Sequence, residues 1–218
     1  MASFIDDKSE HCIPFILERI KSHREAYTSS NTRPPPFFVG INGVQGAGKT
    51  TLVSTLKSTL SSPPHSLPTA VLSIDDLYLP HEEQVALAAR HRDNPLVQHR
   101  GQPSTHDIGL GTDVFAALSA RKESVALPSY DKSRFDGSGD RRPRSKWQSV
   151  GQVDVVIFEG WCVGFRARGE VAIEKAWREA REELGARGGE YQGRLAHLKV
   201  RDVLFVDRAL KEYDVLTE

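Results

Sequence analysis

The sequence predicts an α/β fold in three layers, a mainly parallel sheet flanked by helices. Three observations predict it. Short apolar runs, FFVGI at residues 37–41 and VDVVIF at 153–158, have the composition of strands covered on both faces rather than the alternation of half-exposed ones. Such runs alternate along the chain with stretches of helical spacing, the order that builds parallel sheets. A glycine-rich turn also follows the first run directly and opens a helix.

Taken in order, residues 8–27 carry Ile13, Ile16, Leu17 and Ile20 on one stripe and are expected to be helical. Pro14 is expected in the first turn, where its missing N–H costs little. Residues 28–36 are polar and proline-rich and read as a linker into the strand at 37–41. A helix is expected over 49–60, a loop over 61–68 and a second strand over 69–74. Helical spacing returns at 82–92, followed by a polar stretch at 94–111, a helix at 112–120 and a short strand at 124–127. Residues 130–147 are rich in Arg, Lys, Gly and Ser and predict a long exposed loop or hairpin. The strand at 153–158 is followed by a charged helix at 171–184 and, in VLFV at 203–206, a last strand. The organisation expected is an N-terminal helix and linker, 1–36, before a single domain, 37–218, with insertions at about 77–147 for an acceptor molecule.

Bulk properties narrow the class. Apolar residues make up 39% and charged residues 27% of 218, as in an ordinary globular protein. Lys plus Arg equals Asp plus Glu at 29 each, which disfavours nucleic acid or an anionic membrane as the main partner. The basic run Arg141, Arg142, Arg144 and Lys146 beside Trp147 lacks aromatic interleaving and reads as a solvated flap. The two cysteines, Cys12 and Cys162, form no CxxC pair, so a reducing, cytoplasmic setting is expected. No run has the length of a membrane span or of a signal-peptide core.

The decisive string is Gly43-Val44-Gln45-Gly46-Ala47-Gly48-Lys49-Thr50, followed by Thr51, which fits G-x-x-x-x-G-K-[ST]. Glycines let the backbone curl so that successive N–H groups converge on phosphate oxygens. The next helix turns its positive end to the same anion. In such a P-loop Lys49 reaches the β- and γ-phosphates of ATP and the Thr50 hydroxyl coordinates Mg²⁺.

Acidic groups fall at two predicted strand ends, Asp75 and Asp76 after residue 74 and Glu159 after residue 158. Ligands of open α/β sheets bind at these carboxyl ends. Phosphoryl transfer to an alcohol calls for one carboxylate near the hydroxyl and another near Mg²⁺ or its waters. Asp75 and Glu159 are therefore catalytic and metal candidates together with Lys49 and Thr50. Strand-end acids also cap helices, and Asp76 fits either use. Two polar clusters, residues 100–107 and 127–133, supply walls for a small-molecule acceptor: Asp76, Tyr78, Arg100, His106, Tyr130, Lys132 and Arg166 are the candidates. Arginine forks suit a carboxylate.

There is no N-K-x-D string for guanine and no LSGGQ-like string of a transporter ATPase. What is present resembles the phosphoribulokinase/uridine kinase group of P-loop kinases. The wording GINGVQGAGKTTL, SIDDLYL, RGQPSTHD, LPSYDKS and VVIFEGWCVGFR, between Gly40 and Arg168, is more similar still to D-glycerate 3-kinase and its fungal relatives. The resemblance implies a three-layer P-loop NTPase fold and ATP- and Mg²⁺-dependent phosphorylation of the 3-hydroxyl of D-glycerate. It puts Asp75 in the place of the general base and Glu159 in that of a Mg²⁺-linked acid. The same group includes kinases for other acceptors, of uridine or pantothenate type, and a catalytically silent ATP-binding module is a further alternative. Kinases of this group carry an arginine-bearing lid, another strand and a helix after the position of VLFV. This chain has no arginine after Arg208, so the resemblance implies a missing lid and last strand and weak activity.

Overall fold

The computed structural model describes residues 8–27, 33–186 and 193–217. The chain divides into two compact units. The first is Met1–Leu77, Gly109–Tyr130 and Arg142–Gly164; the second is Tyr78–Ile108, Asp131–Arg141 and Phe165–Glu218.

In the first unit, β1 (Phe37–Asn42), β2 (Thr69–Ser73) and β7 (Val155–Gly160) form a three-stranded parallel sheet in the order β1-β7-β2. The central strand is the one whose sequence is most apolar, and Val155, Val156, Ile157 and Phe158 are all buried. Period-two alternation sends Val155 and Ile157 to one face and Phe158 to the other. On the first face they pack with Val53, Leu56 and Leu60 of α2 (Lys49–Ser61) and with Ile16 and Ile20 of α1 (Ser9–Ala26). On the other face Phe115 of α4 (Ile108–Ser119) meets Phe38 at 5.2 Å and, edge-on, Phe158 at 5.0 Å. Helix, sheet and helix thus make the expected three layers. A short antiparallel pair, β3 (Val125–Leu127) with β6 (Gln148–Val150), completes the unit.

Two local expectations are corrected here. Pro14 lies inside α1, past its first turn, because the helix begins at Ser9. The segment after β2 is not a continued strand at Ile74 but a 3₁₀ turn, Ile74–Leu77. Of the linker expected at 28–36, residues 28–32 lie outside the described residues.

The second unit is mainly helical, with α3 (His81–Arg90), α5 (Glu170–Ala186) and α6 (Val200–Leu210), and contains Asp131 from the end of β4 (Tyr130–Asp131) and the short β5 (Asp140–Arg141). The strand expected at 203–206 is instead the middle of α6. A four-residue apolar run cannot by itself distinguish strand from buried helix. Burial at Leu204, Asp207 and Leu210 follows a helical period, and packing overrides the strand preference of Val203 and Val206. Asp207 explains why an acid tolerates this position: its carboxylate accepts from the backbone N–H of Arg168 at 2.7 Å and of Gly169 at 3.0 Å, just ahead of α5. Among the described residues no helix is long and apolar enough to cross a membrane.

Candidate active site

The phosphate-binding candidates and both strand-end acids lie in the first unit, and the sheet register aligns them. Glu159 of β7 pairs with Ile41 of β1 on one side and Ser73 of β2 on the other. Gly43, the first loop residue, follows Ile41 by two positions, and Asp75 follows Ser73 by two. Glu159 is therefore at the end of the central strand, flanked by the strand that opens the loop and the strand that delivers Asp75. Parallel pairing makes this alignment unavoidable: all three strands end at the same edge.

The loop has the form its glycines predict. Gly46 has φ +84° and Gly48 φ +82°, left-handed conformations on either side of Ala47. A Cβ at either glycine would meet nothing within 4 Å, so backbone conformation rather than crowding demands glycine there. The N–H groups of such a segment converge into an anion cradle. Gly48 caps α2, which begins at Lys49, and the first-turn amides of α2 have no intrahelical partners. Lys49 Nζ donates to the carbonyls of Gly43 at 2.5 Å and Val44 at 3.1 Å, holding the cation across the start of the loop. The loop is tied to β7 through the N–H of Gly43, which donates to the Gly160 carbonyl at 3.3 Å. Thr50 stands exposed in the first turn of α2. A hydroxyl and two carboxylates, Thr50, Asp75 and Glu159, are the hard oxygen donors that suit Mg²⁺ beside nucleotide phosphates, so the residues present fit both groups.

Asp75 sits in the turn after β2, where its N–H donates to the Ser73 hydroxyl at 3.3 Å. Gly160, next to Glu159, has no room for a side chain: a Cβ would lie 2.4 Å from Cγ2 of Ile74. The Glu-Gly pair thus lets the end of β7 approach the turn that carries Asp75. Cys162 is buried close by, and its thiol is pushed up to about 12 by burial first and the Asp75 charge second. It is a neutral packing residue at physiological pH, not a nucleophile.

The acceptor candidates divide between the units. Asp76 and Tyr130 are in the first, where the Asp76 carboxylate accepts from the Tyr130 N–H at 3.1 Å and so fastens the chain after β3. The remaining five are in the second. Tyr78 stacks on His106 at 4.3 Å, and His106 Nδ1 lies 2.6 Å from the Tyr213 hydroxyl. Arg100 donates to the carbonyls of Gly137, at 2.6 Å, and Ser138. Arg166 donates to Thr217 Oγ1 at 2.6 Å and pairs with Asp214 at 3.1 Å. Lys132 is exposed. Sequence inspection missed Tyr213 and Asp207. Neither lies in a recognisable string, and both act on residues far along the chain.

A parallel sheet opening into this loop, with acids at the adjoining strand ends, defines the P-loop NTPase class. No family model matches the chain, but individual relatives do. It is 42% identical over 156 residues to an uncharacterized kinase, mug58, of Schizosaccharomyces pombe, covering 70% of this chain and 55% of that protein. It is 38% identical over 136 residues to the chloroplastic D-glycerate 3-kinase of Arabidopsis thaliana, covering 61% of this chain and 29% of that one. The solved D-glycerate 3-kinase of Cryptococcus neoformans superposes with a TM-score of 0.83 at 31% identity, over 97% of this chain and 70% of that one. The chain belongs to the family of D-glycerate 3-kinase and its fungal relatives. It spans about half, or less, of the length of these two curated relatives.

Proposed function

We propose that the protein is an ATP-dependent kinase that transfers the γ-phosphate to the 3-hydroxyl of D-glycerate, giving 3-phosphoglycerate and ADP. The observation that carries the reading is the register that brings Glu159 between the phosphate loop and Asp75. The names of two of the relatives support the acceptor.

In this reading the loop N–H groups and the Lys49 ammonium bind the triphosphate and orient its terminal phosphoryl group. Mg²⁺ bound with the nucleotide would neutralise charge on the β- and γ-oxygens, and Thr50, Asp75 and Glu159 are the residues that would hold it or its waters. The Asp75 carboxylate takes the proton from the acceptor hydroxyl as that oxygen bonds to the γ-phosphorus and the bond to the β-phosphate oxygen breaks. Gly160 keeps the Glu159 and Asp75 backbones close. Buried Cys162, held neutral, adds no charge beside them. The free cysteines Cys12 and Cys162 support a reducing, cytoplasmic location.

A coupled assay of ADP release with Mg²⁺, ATP and a panel of D-glycerate, L-glycerate, uridine and pantothenate tests the proposal. Saturable turnover with D-glycerate and background rates with the others is the expected result. Turnover confined to uridine or pantothenate reassigns the acceptor, and ATP binding with no accelerated turnover reduces the protein to a nucleotide-binding module.

A further inference from the structure

Helix α1 precedes the P-loop fold in sequence, yet the structure brings its N-cap residue to the phosphate loop. Lys8 is the N-cap of α1, and its Nζ donates to the Ala47 carbonyl at 3.1 Å. The rest of the helix fixes where this cation stands. Ile16 and Ile20 are buried against Val53, Leu56 and Leu60 of α2. At the other end the Lys8 carbonyl accepts from the N–H groups of His11 at 3.1 Å and Cys12 at 3.0 Å. The main chain of Lys8 is thus fixed by a docked helix, and only its side chain spans the remaining distance to the loop.

The partner atom gives the contact its meaning. Ala47 stands between the two left-handed glycines. Its carbonyl shares a planar peptide with the N–H of Gly48, and in a trans peptide these two groups point in opposite directions. The Ala47–Gly48 bond is trans, the one cis bond among the described residues being Pro63–Pro64. Holding the Ala47 oxygen outward therefore turns the Gly48 N–H inward, to the side where the loop gathers its donors. Glycines alone leave that peptide able to flip, because left-handed and right-handed conformations cost a glycine similar energy. Lys49, from within the loop, holds the Gly43 and Val44 carbonyls. No cation within the loop holds the carbonyl of Ala47; Lys8, from outside it, does.

We propose that Lys8 is a positioning residue for nucleotide binding: it locks the Ala47–Gly48 peptide with its N–H facing the phosphates, which makes α1 part of the nucleotide site. This rests on the kinase reading above. A charge-assisted hydrogen bond at an exposed site changes an equilibrium by about three- to tenfold.

The test is calorimetric titration of ATP and of ADP into the wild-type protein, Lys8→Met, Lys8→Arg and Lys49→Ala, with the melting temperature of each unliganded protein. Lys8→Met is expected to weaken both nucleotides three- to tenfold with its melting temperature within about 1 °C of wild type, and Lys8→Arg to restore most of the affinity. In the glycerate assay the loss falls on KM for ATP more than on kcat. Unchanged affinity in Lys8→Met, beside a large loss in Lys49→Ala, overturns the role of Lys8 and leaves the kinase reading standing. A loss that tracks a lowered melting temperature and is not restored by arginine assigns Lys8 to fold stability and overturns the proposal as well. A wild-type protein that binds neither nucleotide overturns the kinase reading itself, and Lys8 with it.

Discussion

Glu159 in the sheet unit is a half-buried carboxylate and Asp207 in the helical unit a buried one, and their surroundings differ in kind. The backbone around Glu159 is satisfied by the β1 and β2 ladders on either side, and the side chain stands at the strand end beside the loop. Asp207 spends both oxygens on the N–H groups of Arg168 and Gly169, amides that no ladder serves. The cations divide less sharply, since Lys49 also donates to the Gly43 and Val44 carbonyls. Lys49 lies at the head of a helix facing a phosphate cradle. Arg100 and Arg166 hold the turn at 137–138 and the residues at 214 and 217. In the sheet unit, too, charged side chains fasten irregular chain, as Asp76 does at Tyr130, but the main chain of Glu159 is already held by two ladders. Where irregular chain and short helices must be fastened, charged side chains do the fastening.

Four substitutions or conditions sharpen that contrast. Glu159→Gln is expected to cut kcat/KM about a hundredfold at low Mg²⁺, with part of the loss recovered as Mg²⁺ is raised; a titration of rate against Mg²⁺ checks it, and an unchanged rate would give Glu159 a structural role like that of Asp207. Gly160→Ala forces a Cβ against Ile74 and is expected to lower stability by about 1–3 kcal/mol in urea unfolding, with activity falling further because Asp75 moves. Asp207→Ala removes two hydrogen bonds ahead of α5, a loss of about 0.5–2 kcal/mol, and should leave ATP affinity as it is in the wild type. The smallest effect is on pH dependence. Cys162 is held at about 12 against 9.0 for an ordinary thiol, so above pH 9 the unfolded chain loses this proton first. Its contribution is whole below pH 9 and fades as pH rises towards 12; the slope of stability against pH in that window should be shallower in Cys162→Ala.

How much could be read from the sequence follows the same line. The strands expected at 37–41 and 153–158, found at Phe37–Asn42 and Val155–Gly160, and the loop between Gly43 and Thr50 declare themselves because parallel strands buried on both faces and phosphate cradles each impose a local pattern. Asp75 and Glu159 were legible as acids near strand ends, although β2 stops at Ser73 and β7 continues through Glu159 to Gly160. VLFV was misread because four apolar residues suit a strand or a buried helix, and the deciding contacts, through Asp207 to residues 168 and 169, are remote in sequence. The polar string at residues 100–107 was legible as a cluster, but its internal uses were not: His106 meets Tyr78 and Tyr213, the latter from a segment with no motif. Lys8 escaped notice for the same reason, since only the docking of α1 brings it to Ala47.

The central claim is that the aligned strand ends form a phosphoryl-transfer site with Asp75 as its base. It is tested most directly by D-glycerate-dependent ADP formation in Asp75→Asn beside the wild type, with ATP affinity measured on both. The account predicts turnover in the wild type that falls at least about a hundredfold in the variant, with ATP bound within a few-fold of wild-type affinity. Turnover that survives the substitution would contradict it and move the proton acceptor to another residue.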